Sequence, residues 1–187
     1  MFSGDCLRGA EAIVRKGKLL GEEVLIKDRI AKGYRVKSLD ERLRRERTRG
    51  EARLLHKAKL EGVPCPTVLQ VDDFSITMSA IQGKRPPMTK AECAECGNML
   101  AKLHAADIIH GDYTPANILK DGRKLFVIDF GLGFISKDIE DKAVDVFTML
   151  RAVSEKESFI EGYRSYAEAP SVLTRVKDVE SRVRYAS

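Results

Sequence analysis

Three oxygen-bearing side chains at fixed intervals constrain this chain more than anything else in it: Asp112, Asn117 and Asp129. They sit in Ile109-His110-Gly111-Asp112-Tyr113-Thr114-Pro115-Ala116-Asn117-Ile118-Leu119 and in Val127-Ile128-Asp129-Phe130-Gly131. Asn117 to Lys120 and Leu125 to Asp129 are apolar-rich runs on either side of Asp121-Gly122-Arg123-Lys124, a turn-forming tetrad. With those four residues as the connection, Lys120 pairs with Leu125 and Asn117 lies opposite Ile128, next to Asp129. An amide oxygen and a carboxylate then meet at the open end of one hairpin. That arrangement suits magnesium, which takes oxygen ligands and keeps room for substrate phosphates. The alternative is an ordinary Asp-Gly turn beside a buried strand.

A chain of 187 residues can bury a real core as one domain, or as two small lobes around one cleft. With 43% hydrophobic and 33% charged residues the composition is that of a soluble globular protein. No apolar run approaches the ~20 residues of a membrane span. Met1-Phe2-Ser3-Gly4-Asp5 lacks the basic and apolar regions of a secretory signal, so a cytoplasmic protein is expected. The net charge of +5 favours acidic partners such as nucleotides or RNA, and is equally what solubility requires. Cys93 and Cys96 form a Cys-x-x-Cys that invites a zinc or redox reading. The Thr89-Lys90-Ala91-Glu92 capping box instead predicts a helix to about Ala105 that carries both as small helical residues.

His-Gly-Asp-x4-Asn followed by Ile-Asp-Phe-Gly resembles the catalytic loop and metal-binding motif of the protein-kinase-like superfamily. The resemblance implies that Asp112 is the catalytic base and that Asn117 and Asp129 hold magnesium. Gly111 stands where most eukaryotic protein kinases have Arg, and Thr114 where serine/threonine kinases have Lys. Further motifs fall into line. Ala12-Ile13-Val14 and Val24-Leu25-Ile26 are β-prone runs separated by likely turns at Gly17 and Gly21. Gly9, before the first run, is a thin version of a phosphate-covering loop. Lys27 ends the second run and looks like the lysine that grips the nucleotide phosphates; Leu25, on the same strand face, would lie against adenine. Ser38-Leu39-Asp40-Glu41 predicts a capping box opening a basic helix to about Leu60, stopped by Gly62. Within it Glu51, or alternatively Glu46, would pair with Lys27. The arginines of that helix are read as an ion-paired solvated face, with an RNA-facing stripe as the alternative. Val68–Val71 and Ser75–Ile81 read as a hairpin, with a nucleotide-contacting hinge near Met78 and Ile81. Gln82-Gly83-Lys84-Arg85-Pro86-Pro87 marks a lobe boundary. His104 and His110 are expected to support structure rather than titrate. Asp141 to about Val153 is helical, Phe159, Tyr163 and Tyr166 suggest another helix ended by Pro170, and a basic tail with Arg175, Lys177, Arg182 and Arg184 follows.

Signatures along almost the whole chain resemble one family within this superfamily. They are Gly9-Ala10-Glu11-Ala12, Ile26-Lys27-Asp28-Arg29, Tyr34-Arg35, Leu39-Asp40, Arg47-Thr48, Glu51-Ala52-Arg53-Leu54-Leu55, His110-Gly111-Asp112 and Asp141-Lys142-Ala143-Val144-Asp145. Together they are similar to the small atypical kinase/ATPase subunit of the KEOPS (EKC) complex in its compact archaeal form. The resemblance implies an α+β, minimal two-lobed kinase-like fold: a small antiparallel sheet plus helix over residues 1–82, and a short, mostly helical lobe over 83–187. It implies ATP and Mg2+ as cofactors, with Lys27, Glu51, Asp112, Asn117 and Asp129 as the functional set. The implied partners are the tRNA threonylcarbamoyltransferase subunit and a small regulatory subunit, with tRNA a candidate for the basic helix and tail. The implied activity is ATP hydrolysis supporting threonylcarbamoyladenosine formation, with autophosphorylation or serine phosphorylation. The sequence departs from the family in its sparse basic tail and in Ser79-Ala80, where an acidic hinge residue is common. Two rivals remain: a small-molecule phosphotransferase and a non-catalytic, kinase-shaped scaffold.

Overall fold

A computed structural model describes residues 6–9 and 11–185. The expectations drawn from Met1–Asp5, from Ala10 and from the last two residues lie outside that range, as does the side chain of Arg184. Five strands, β1 (Cys6–Arg8), β2 (Ala12–Leu19), β3 (Glu22–Arg29), β4 (Val68–Val71) and β5 (Ser75–Ser79), form an antiparallel sheet in the order β1-β2-β3-β5-β4. The β2–β3 hairpin turns at Leu20 and Gly21, both at positive φ. Gly17 is no turn, contrary to expectation. It pairs with Val24 inside the sheet, and a Cβ there would meet Ile26 Cδ1 at 2.8 Å, so close packing explains the glycine. β5 ends two residues earlier than expected, leaving Ile81 beyond the sheet.

Helix α1 (Lys37–Leu60) opens at Val36 with no side-chain cap, so the expected capping box from Ser38 does not form. The reason lies in Asp40, one turn in. Its carboxylate accepts the Lys32 amide at 3.1 Å and pairs with Arg44 at 2.6 Å, fixing the incoming chain by a tertiary contact instead. Most arginines of α1 are ion-paired as read: Arg42 with Glu46, Arg45 and Arg49 with Asp73, Arg47 with Glu11.

The helical remainder comprises α2 (Lys90–Ala105), α3 (Ile139–Ala152), α4 (Lys156–Tyr163) and α5 (Ala169–Tyr185). Short strands β6 (Ile108–Ile109) with β9 (Phe134–Ile135), and β7 (Ile118–Asp121) with β8 (Lys124–Val127), complete it. The Thr89 capping box forms, and Cys93 and Cys96 are buried on α2 as expected. Burial pushes the Cys96 thiol up to about 12, which keeps it protonated. α2 and α4 meet backbone to backbone, because Gly97 and Gly162 leave no side chain between them.

One correction concerns the C-terminus. Pro170 begins a helix rather than ending one, a position where its missing N–H costs nothing. The expected tail is therefore α5, with Val172, Val176 and Val179 buried and Arg175 and Arg182 ion-paired to Glu140 of α3.

The larger core joins Leu54, Leu55 and Ala58 of α1 to side chains of α2, α3, α4 and α5; a smaller one holds Ala52, Ile76 and Met78 under the sheet. Each fully buried large aliphatic side chain contributes about 1.5–3 kcal/mol. The C-terminal half of α1 is thus anchored in the helical core while residues further up the helix face the sheet. Lys84 and Lys120 exchange backbone hydrogen bonds of 3.0 and 2.7 Å, tying the connecting segment to the β7–β8 hairpin. These two attachments fix β3 relative to the loop that follows β6.

Candidate active site

The hairpin register is the one the sequence predicts. Lys120 pairs with Leu125, and the Ile128 amide donates to the Asn117 carbonyl at 2.9 Å. Asn117 closes a 3-10 turn over Pro115–Asn117. Its Nδ2 donates to the Asp112 carbonyl and to Asp112 Oδ2, both at 2.9 Å. Two acceptors fix which end of the amide faces Asp112, and Oδ1 is left for another partner. Gly111 adopts φ 79, and a Cβ there would lie 2.5 Å from the Leu132 carbonyl oxygen. No side chain, and so no arginine, fits at this point of the loop.

Beneath the loop lies a buried polar network. Asp145 of α3, 1% exposed, accepts the His110 amide at 2.6 Å and the Gly111 amide at 2.9 Å. His104 Nε2 lies 3.4 Å from the same carboxylate, and its Nδ1 lies 2.7 Å from the Tyr163 hydroxyl. The His110 ring accepts the Asp112 amide at Nδ1 (3.3 Å) and donates from Nε2 to the Ile128 carbonyl (3.1 Å). Burial lowers the pKa of both histidines despite the opposing pull of Asp145, so both are neutral near pH 7. They support the loop, as expected. The anchoring by Asp145 was missed: the sequence shows it only within a family signature, because its partners are backbone amides far away in the chain.

On the sheet side, Lys27 Nζ donates to Glu51 Oε1 at 2.6 Å and to Asp129 Oδ1 at 2.7 Å. The second contact joins residues 102 positions apart. Glu46, the alternative partner, is exposed on another turn of α1. The second oxygen of Glu51 accepts from Arg29 at 2.6 Å, so two cations of the same β3 face grip one buried carboxylate. Arg29 was also missed as a site residue. Its spacing of two from Lys27 was the available signal, since such residues share a strand face. Asp129 adopts φ 61, a conformation that costs a non-glycine residue about 1–3 kcal/mol and is concentrated at functional sites. Burial raises its pKa, but the Lys27 ammonium and the Gly131 amide more than offset this and hold it below the ordinary value. Its side chain remains 54% exposed to the cleft.

The structure thus brings Lys27, Glu51 and Asp129 together, and Asp112 with Asn117; the His110 ring links the two groups through Asp112 and Ile128. Leu25 and Met78 are cross-strand partners two residues along the sheet from Lys27 and Ile76. Among the described residues no hydrogen bond or ion pair ties Gly9 or Ile81 to the cluster. The Gly9 amide is already bonded to the Ala12 carbonyl at 2.9 Å, so it is not offered to a phosphate. Among the described residues no three His, Cys, Asp or Glu side chains converge as a metal cage. By their chemistry, Asn117 Oδ1 and the exposed Asp129 carboxylate are oxygen donors of the kind magnesium takes, with its remaining oxygens coming from phosphates and water.

A lysine–glutamate pair under a small sheet, facing an Asp/Asn loop and an Asp-Phe-Gly segment, defines a protein of the kinase-like class. The RIO domain model matches residues 23–149. A curated protein of Archaeoglobus fulgidus, "Probable serine/threonine-protein kinase BUD32 homolog", is 42% identical, over 95% of this chain and 94% of its own length. A "Probable bifunctional tRNA threonylcarbamoyladenosine biosynthesis protein" of Methanosarcina barkeri is 39% identical over 95% of this chain, and one of Methanocaldococcus jannaschii 41%. The chain spans about a third of the length of those bifunctional relatives. Among solved structures, the Rio2 kinase of Chaetomium thermophilum superposes with a TM-score of 0.69, at 14% identity, over 99% of this chain and 71% of that one. The chain belongs to the RIO-domain family, alongside the BUD32-type homologues.

Proposed function

We propose that the protein is an ATP-dependent atypical kinase or ATPase that acts in tRNA threonylcarbamoyladenosine formation as part of a KEOPS-type complex. The observation that carries this reading is the Lys27 ammonium held between Glu51 and Asp129, beside the Asp112–Asn117 pair. Such a cluster of charge in a cleft suits phosphoryl transfer, where positioning and electrostatics supply most of the rate. Glu51 holds Lys27 ready for the α- and β-phosphates, and Asp112 orients the attacking water or serine hydroxyl. Asn117 Oδ1 and Asp129 would hold magnesium, which supplies charge neutralisation at the phosphates when bound. Leu25 and Met78 form the apolar surface on which adenine would lie, with Ile81 at its edge and backbone groups as its polar contacts.

Residues 1–82 and 83–187 act as two lobes around this cleft. The partner reading rests on the names of the relatives. The expected partners are a tRNA threonylcarbamoyltransferase subunit and a small regulatory subunit, in the cytoplasm. The test is ATP turnover by the full chain, alone and with the transferase and tRNA, against the Asp112→Asn variant. A fall of about 10²–10⁴-fold in the variant is expected, the usual contribution of a general base. Equal turnover would remove Asp112 from the reaction.

A further inference from the structure

Past the Glu51 oxygen that does not hold Lys27, five cationic side chains line one recess: Arg29, Lys32, Arg35, Arg44 and Arg47, with Glu11 and Ile30 completing its wall. Besides Glu51, which takes Arg29 at 2.6 Å, two carboxylates serve the four arginines. Asp40 takes Arg44 at 2.6 Å and Arg35 at 3.7 Å, while Glu11 takes Arg47 and, at 3.9 Å, Arg29. Arg29 is 7% exposed, and its Nε has no hydrogen-bond partner. An orphan donor on a buried guanidinium is costly, and native structures rarely keep one without a reason.

The two carboxylates differ in how they are held. Asp40 is buried on α1 and also accepts the Lys32 amide. Glu11 precedes β2, on the turn that follows β1, and is 40% exposed at its side chain. It is therefore the group that an external anion could replace. The field at this point favours a negative charge, whichever group carries it. The Arg47 hydrogen bond and the charges of Arg47, Arg29 and Arg35 hold the Glu11 carboxyl below its ordinary value against the effect of burial.

We propose that this recess is a phosphate site, taking inorganic phosphate or the dianionic group of a phosphomonoester in place of the Glu11 carboxylate. Planar guanidinium forks match tetrahedral oxyanions, and one dianion supplies more counter-charge than the single carboxylate it displaces. Because Arg29 is shared between the recess and Glu51, occupancy reaches Lys27 through one carboxylate. A phosphodiester backbone fits less well: its single charges are strung along a strand, and they suit an open stripe of cations better than one enclosed group. The site stands apart from the phosphoryl-transfer reading and does not depend on it.

The experiment is calorimetric titration of the full chain, without nucleotide and at constant ionic strength, with inorganic phosphate, a phosphoserine peptide and a short polyuridine RNA. Wild type, Glu11→Gln and Arg47→Gln are compared; both residues are partly exposed, and melting curves check that both variants fold. Phosphate should bind the wild type. Glu11→Gln should tighten it about tenfold and Arg47→Gln weaken it about tenfold, the size of one charge-assisted hydrogen bond. Equal affinity for phosphate and peptide identifies free phosphate as sufficient, and a tighter peptide identifies a phosphorylated side chain. The proposal falls if phosphate does not bind, if both variants bind it like wild type, or if only the RNA binds.

Discussion

Asp112 and Asn117 hang from a loop whose amides are held by Asp145 in a site closed to water, whereas Lys27 and Asp129 meet across the cleft at its edge, where water reaches the Asp129 side chain. Hydrogen bonds to a buried carboxylate have no solvent alternative, and losing them leaves donors unsatisfied. In the Lys27–Asp129 pair the lysine is buried but water reaches the carboxylate, so solvent screens the contact from one side. The loop side is therefore built rigid before any ligand arrives. On the proposed function, the Lys27–Asp129 contact is the part that would give way to phosphate and cation.

This contrast can be broken most directly at Asp145. Asp145→Ala leaves the buried amides of His110 and Gly111 unpaired, and should cost about 3 kcal/mol or more in urea unfolding and abolish turnover. A small stability loss would mean that water replaces the carboxylate and the loop is not rigidly anchored. Asp129→Ala sits at the other extreme. Folding stability should fall only modestly, since the residue is half exposed although alanine tolerates φ 61 no better than aspartate, while magnesium-dependent nucleotide binding is lost; calorimetry giving wild-type affinity would contradict the metal assignment. Between them, Glu51→Gln should weaken ATP binding more than it slows turnover at saturation, because it loosens Lys27 without touching Asp112. A lowered kcat with unchanged KM would place Glu51 elsewhere in the mechanism.

The smallest effect concerns pH. The pKa values of His104 and His110 are lowered in the folded protein, so below the ordinary value of 6.5 the unfolded chain binds protons that the native one refuses. Stability should be flat above that pH and fall as the pH drops from 6.5 towards the folded values. Asp129, whose pKa is lowered, adds stability above its ordinary 3.8 that is lost only as the pH falls further through its folded value. Melting temperatures recorded from neutral to acid should show these two stages, and His104→Gln should flatten the first.

Much of the site could be read from the chain because its signals are local. The four-residue turn fixes the β7–β8 register, and the register puts Asn117 beside Ile128. Thr89 caps α2 because both halves of its capping box lie within one turn. Local signals misled where a distant partner competed. Ser38 lost its capping role to the tertiary contacts of Asp40, and Gly17 marked a crowded strand rather than a bend. Pro170 reads as a helix stop but is equally suited to a start, which is where the fold uses it.

What the sequence determined by itself was the set of chemical groups and their short-range order: a lysine within an apolar strand, which runs two residues further than the sequence suggests, an Asp/Asn loop, and an aspartate at the base of a hairpin. What only the tertiary structure decided was who holds whom. Glu51 rather than Glu46 faces Lys27, Arg29 shares that carboxylate, and Asp145 carries the loop. The division has a physical cause. Turns, caps and strand periodicity arise from neighbours a few bonds apart and leave their mark in composition. Pairing between buried charges and backbone amides depends on how helices and sheet are brought together, and a backbone amide has no residue identity to read.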